Sequence, residues 1–246
     1  MAIFHVYVQC DSRNYAIAFA NDEVADEWWR AISTHPTISK WIKRVSPQLY
    51  AWTGATKNGG LDYGSHEDVI SQCVAKMVSL WQYDSGFYGA LGIIPVQDTT
   101  NQASGHSFFI RSKVEPYEYW YCPPTAGSIT EDTHIYTSRE ERTRFCVRIA
   151  DEKMQPGTIM IGTDKIIISP AFAPTLRVSA ENGVARLGPT AASSESEQPK
   201  LKLSDVRTGF TSGARRRVMD EENDLVIVAR ELVEALDGNG EGWELV

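Results

Sequence analysis

Residues 4–32 read FHVYVQCDSRNYAIAFANDEVADEWWRAI, and this stretch carries the signals of two strands followed by a helix. Apolar and polar residues alternate from Phe4 to Cys10 and again from Tyr15 to Phe19, which is the period of a half-buried strand. The residues between the two segments are typical of turns. The pattern therefore predicts a β-hairpin at the beginning of the chain.

The helix is predicted to begin after Asn21, a residue type that caps helix N-termini well. Val24, Trp28 and Ile32 then recur at the spacing of one helical face, and Pro36 ends the segment. A second helix is predicted from Ser65 to Trp81. It starts with a capping box and continues with apolar residues on one side.

From residue 87 to residue 169 the period changes to two, and Gly and Pro interrupt a series of short strand-like segments. Residues 183–204 are rich in Ala, Ser, Glu and Pro, which predicts a linker or a long surface loop. We therefore expect an α+β body at 1–182 and a helical tail at 205–246. The predicted fold class is α+β with a mostly antiparallel sheet, two helices in the N-terminal half and a C-terminal helix after the linker.

The tail helix is predicted from Ser212 to Asp237. In its second half Leu225, Leu232 and Leu236 lie on one side, and such a half-apolar helix must dock somewhere. It could dock on its own sheet or against a second copy of the chain, and the latter would make the protein a homo-oligomer.

Composition excludes several classes of protein. The 246 residues carry a formal net charge of −8, which argues against a dedicated nucleic-acid binder and against binding to anionic membranes. The chain starts without a secretory signal, and four widely spaced cysteines do not form a disulfide framework. We expect a cytoplasmic protein with reduced thiols, although a processed secreted chain would look similar.

The common catalytic signatures are absent from the sequence, including the P-loop, the dinucleotide-binding glycine motif and the zinc motifs. We therefore expect no cofactor and no metal. The remaining catalytic candidates are Cys146, His106 and His134, which could form a thiol-dependent, hydrolase-like arrangement. Cys146 alternates with core residues and shares a strand face with two arginines, so it should be the most reactive of the four thiols.

Aromatic residues are concentrated in one predicted strand, where Tyr117, Tyr119, Trp120 and Tyr121 are four of five consecutive residues. Such a strand could stack on sugars or anchor a protein interface, or it could simply lie between two packed layers. The leading hypothesis is a non-catalytic binding protein that recognises a carbohydrate or a protein through this strand. The alternatives are the thiol-dependent enzyme and a structural or assembly subunit.

Overall fold

The computed structural model describes residues 3–10, 13–53, 77–84, 97, 99–123, 133–189, 201–220, 225–235 and 240–246. These residues form two compact units, Met1–Asn101 and Gln102–Val246. Each unit has its own sheet or sheets and its own hydrophobic core. In the described part of the chain, no helix combines the length and the apolar character needed to span a membrane.

The described part of the first unit consists of one five-stranded sheet, one α-helix and a short 3-10 turn. The elements are β1 (Phe4–Cys10), β2 (Arg13–Phe19), α1 (Asp22–Thr34), the 3-10 turn (Ile38–Lys40), β3 (Ile42–Ser46), β4 (Leu49–Trp52) and β5 (Met77–Asp84). The strand order is β3-β4-β1-β2-β5. β1 and β4 are parallel, and the other neighbouring pairs are antiparallel.

The predicted N-terminal hairpin and first helix are confirmed. β1 and β2 pair antiparallel. The Asn21 side chain accepts a hydrogen bond from the Val24 backbone N–H at 2.9 Å, as a helix N-cap does. The Trp28 ring is fully buried and lies 5.4 Å, between centroids, from both Phe19 and Tyr50. The apolar face of α1 therefore packs on the sheet of its own unit.

The predicted second helix is wrong over its last residues. Residues 65–76 lie outside the described residues, but Met77–Asp84 is β5 and pairs antiparallel with β2. Short apolar runs fit a helix and a strand about equally well by periodicity alone. Here the strand forms because Met77–Asp84 lies along the edge of β2, where pairing satisfies the backbone N–H and C=O groups of both strands.

The described part of the second unit has two sheets. Its elements are β6 (His106–Phe108), β7 (Ile110–Ser112), β8 (Tyr119–Tyr121), β9 (Tyr136–Ser138), β10 (Phe145–Ile149), β11 (Lys165–Pro170), β12 (Leu176–Glu181), β13 (Val184–Pro189), β14 (Leu201–Lys202), α2 (Leu203–Thr208), β15 (Phe210–Asp220), β16 (Leu225–Glu234) and β17 (Trp243–Leu245). One sheet has the order β14-β11-β10-β6, and the other has the order β12-β13-β16-β9-β8-β7-β17 with β15 paired to β16.

The C-terminal helix is also wrong, and with it the α+β fold class: the described chain is mostly β. β15 and β16 pair antiparallel across most of the segment predicted as a helix. Along β16, Ile227 and Ala229 are buried, whereas Val226 and Val228 are each 61% exposed, which is the two-residue period of a strand. Three consecutive β-branched residues at 226–228 favour this conformation.

Part of the predicted linker segment, 183–204, is ordered as strand. Asn182 and Gly183 have φ angles of 53° and 79° and form the two-residue turn that joins β12 to β13. β13 then pairs with β12 along its whole length. Residues 190–200 lie outside the described residues, and 201–204 enter β14 and α2.

The core of the second unit draws residues from both of its sheets. Trp120 is fully buried there and meets three other aromatic rings edge-on, at centroid distances of 6.1 Å to Phe145, 5.2 Å to Phe210 and 6.1 Å to Trp243. Leu232 is fully buried in the same cluster. The sequence pattern places Leu232 on the docking face of a helix, but it lies on a strand inside the unit. The Leu225 side chain and Leu236 lie outside the described residues.

Candidate functional site

The aromatic strand divides its rings between the interior and the surface. Trp120 and Tyr121 are buried, Tyr119 is half-buried and Tyr117 is 37% exposed just before β8. Side chains alternate between the two faces of a strand, and both faces are covered at Trp120 and Tyr121. Of the four residues proposed from sequence as a ligand site, only Tyr117 and Tyr119 are accessible to a partner.

Arginine side chains cover the accessible rings. The guanidinium carbons of Arg142 and Arg144 each lie 4.5 Å from the centre of the Phe109 ring. Phe109 in turn meets Tyr119 edge-on at 6.4 Å. We call this group the arginine–aromatic surface; it comprises Phe109, Arg111, Tyr117, Tyr119, Arg142 and Arg144. Cation–π contacts of this kind attract a guanidinium to the face of a ring.

Arg111 is the most firmly held cation of this surface. Its guanidinium carbon lies 4.5 Å from the centre of the Tyr117 ring. Its Nε and Nη2 both donate to Glu244 Oε1, at 3.0 and 2.6 Å. This hydrogen bonding to Glu244 raises the pKa of Arg111. Arg142 and Arg144 are exposed, and neither has a carboxylate partner among the described residues.

Cys146 lies where the strand pattern predicts. Along β10, Phe145, Val147 and Ile149 are buried, Cys146 is half-exposed and Arg148 is exposed. The Cys146 thiol lies 3.6 Å from the Gly105 carbonyl oxygen, to which it donates a weak hydrogen bond.

Neither candidate histidine is paired with this thiol in the described structure. Cys146 is opposite Ser107 and Val147 is opposite His106, so the imidazole of His106 lies on the other face of the sheet from the thiol. His134 lies against β16, where its Nδ1 is 3.9 Å from Glu231 Oε1. The described contacts therefore contain no nucleophile and base pair of the kind a thiol hydrolase requires.

The fourth thiol, Cys73, lies outside the described residues. Cys146 is expected to react with iodoacetamide before Cys10 and Cys122. The latter two thiols are buried, and burial raises the pKa of Cys122 to about 12, so that it stays protonated at neutral pH. An alkylation time course on the native protein, read residue by residue by mass spectrometry, measures the order. Urea-unfolded protein serves as the control, because all thiols should then react at similar rates. Equal labelling of Cys122 and Cys146 in the native state would contradict the structure.

A polar cluster around Glu118 was missed by the sequence analysis. Glu118 is almost completely buried, and its Oε2 accepts hydrogen bonds from Thr137 Oγ1 at 2.8 Å and from Ser212 Oγ at 2.9 Å. Its Oε1 faces Arg139 Nε at 3.4 Å and Arg230 Nη1 at 3.9 Å. The one available signal was a carboxylate inside a run of aromatic residues. Its partners are 19 and 94 residues away along the chain, so no local pattern connects them.

Comparisons of the chain with protein-family models, with curated proteins and with solved structures find no match in any of the three. The fold and the site define a mostly β protein whose second unit presents an arginine–aromatic surface. A fold by itself does not specify a function. Function is therefore inferred from the chemistry of the exposed residues.

Proposed function

We propose that the protein is a non-catalytic interaction protein that binds another protein through the arginine–aromatic surface. The observation that supports the proposal is the stacking of guanidinium groups on accessible rings, with Arg142 and Arg144 on Phe109 and Arg111 on Tyr117. Arginine and tyrosine are enriched among the residues that contribute most to protein–protein binding. These side chains are already held in place by ring contacts, which reduces the entropy lost when a partner binds.

A protein partner fits this surface better than a carbohydrate does. A sugar stacks on an open ring face, but guanidinium groups occupy the space over Phe109 and Tyr117. Arg142 also lies 5.6 Å from the centre of the Tyr119 ring. The groups presented outward are therefore mainly N–H donors with positive charge.

The partner is expected to supply carboxylates. Arg142 and Arg144 each present a planar fork of donors that matches a carboxylate, and neither is neutralised by a described carboxylate. The whole chain has a net charge of −8, so an acidic partner is repelled overall and attracted only locally. Recognition should therefore depend on short-range contacts at this surface.

Peptide and glycan arrays test the proposal. Acidic peptides that also contain aromatic or aliphatic residues are expected to bind, and the same peptides with Asn and Gln in place of Asp and Glu are expected to bind at least about tenfold more weakly. The double substitution Arg142→Gln and Arg144→Gln, and separately Tyr119→Ala, should reduce peptide binding by a similar factor. Arg148→Gln is the matched control, because Arg148 is an exposed arginine of β10 without a described ring contact.

Two outcomes would overturn this proposal. Binding of glycans that is lost in the Tyr119→Ala variant would assign the surface to carbohydrate. Peptide binding that persists in the double arginine variant would place the contact elsewhere on the protein. Circular dichroism of each variant checks that it is folded.

A further inference from the structure

A cavity of 330 Å³ lies beside the Glu118 cluster in the second unit. Its walls are the turn between β7 and β8, Arg139 after β9, Arg230 of β16 and residues 241–242 before β17. This volume is at the small end of ligand pockets in proteins, so it suits a molecule of a few heavy atoms. None of the residues that line the cavity belongs to the arginine–aromatic surface.

Two guanidinium groups at the cavity, those of Arg139 and Arg230, make only long contacts with Glu118. Arg139 and Arg230 each approach Glu118 Oε1 with a single nitrogen, at 3.4 and 3.9 Å. By contrast, Arg111 holds Glu244 through two hydrogen bonds of 3.0 and 2.6 Å. A guanidinium has five N–H donors, so most of the donors of these two cavity arginines have no partner among the described residues. They are available to a ligand carboxylate.

Around Ser212 and Thr137, the cluster has fewer hydroxyl protons than hydrogen-bond contacts. Ser212 Oγ lies 2.9 Å from Glu118 Oε2 and 2.9 Å from Glu241 Oε2, and 3.0 Å from Thr137 Oγ1. Thr137 also approaches Glu118, so four contacts share the two hydroxyl protons of Thr137 and Ser212. Glu241 is exposed, lines the cavity and can accept further hydrogen bonds. A ligand ammonium group would donate to Glu241, and the Ser212 hydroxyl could then donate to Glu118.

We propose that this cavity binds a small α-amino acid with an aliphatic side chain. The ligand carboxylate lies against Arg139 and Arg230, and its ammonium group lies against Glu241. Val114 and Pro116 supply an apolar wall for the side chain. A zwitterion matches the lining because the lining itself contains both signs of charge, whereas a simple anion would be repelled by Glu118 and Glu241.

Calorimetric titration of the full chain with three matched compounds tests this inference. L-valine carries both charged groups, 3-methylbutanoate lacks the ammonium group and 2-methylpropylamine lacks the carboxylate. Valine is expected to bind with saturation, and each of the other two is expected to bind at least about tenfold more weakly. Equal binding of either single-charge compound, or no saturable valine binding, overturns the proposal.

Two cavity variants and two control variants connect the binding to the cavity. Arg139→Gln and Glu241→Gln change exposed side chains, so the fold should be retained, and each should weaken valine binding at least about tenfold. Arg148→Gln removes an exposed arginine outside the cavity and should leave valine binding unchanged. The double Arg142→Gln and Arg144→Gln variant should also bind valine normally, which separates this test from that of the proposed function. Valine binding that survives both cavity variants overturns the assignment.

Discussion

Replacing Trp120 by Ala is expected to lower the free energy of unfolding by about 3–5 kcal/mol. The ring is fully buried and contacts Phe145, Phe210 and Trp243, so its removal leaves a cavity that three rigid aromatic neighbours cannot fill. Urea unfolding of the full chain, followed by circular dichroism, measures the loss.

Two further variants give this experiment its controls. Trp120→Phe should cost much less, because it keeps most of the ring volume and the Trp120 indole N–H has no hydrogen-bond partner among the described residues. Tyr117→Ala removes an exposed ring of the same sequence run and should cost about 1 kcal/mol or less. A loss of stability in Tyr117→Ala as large as that in Trp120→Ala would contradict the placement of the two rings.

Replacing Leu232 by Asp is expected to lower the free energy of unfolding by about 4 kcal/mol or more. Leu232 is fully buried in the core of the second unit, and the hydrophobic residues around it offer a carboxylate no partner. The variant should therefore lose the folded second unit at temperatures where the native protein is intact. Thermal unfolding by circular dichroism and the oligomeric state by light scattering are measured on the same sample.

Val228→Asp is the matched control, since it also introduces an aspartate in place of an aliphatic residue of β16. Val228 is 61% exposed, and its substitution should change the free energy of unfolding by no more than about 0.5 kcal/mol. If Leu232→Asp instead left the unit folded and dissociated an oligomer, Leu232 would be a subunit contact and not an interior residue.

The N-terminal hairpin and helix could be predicted because their signals are local. The alternation from Phe4 to Phe19 and the cap at Asn21 each involve residues close in the chain. The buried face of β10, with Cys146 outside it, could be predicted for the same reason. Asn182-Gly183, where the segment predicted as a linker begins, is an equally local turn signal, and it joins β12 to β13.

The Ser212–Asp237 segment shows why a local pattern can mislead. Leucines at 225, 232 and 236 fit one helical face, whereas the β-branched residues at 226–228 fit a strand. Pairing with β15 over the length of β16 decided between them. Backbone pairing between two strands leaves no periodic pattern in the sequence of either strand. The sequence alone could therefore not decide between a helix and a strand for this segment.

What the sequence determined by itself is therefore short-range: the first hairpin, the capped helix, and the alternation that buries one side of β10. Only the tertiary structure decided which rings of the Tyr117–Tyr121 run reach the surface, because a strand covered on both faces buries consecutive side chains. The tertiary structure also places the Arg142 guanidinium over the Phe109 ring. It brings Ser212 within hydrogen-bond distance of Glu118, 94 residues away in the chain. Side chains far apart in the chain converge only after the strands that carry them have paired, and this convergence forms both proposed binding sites.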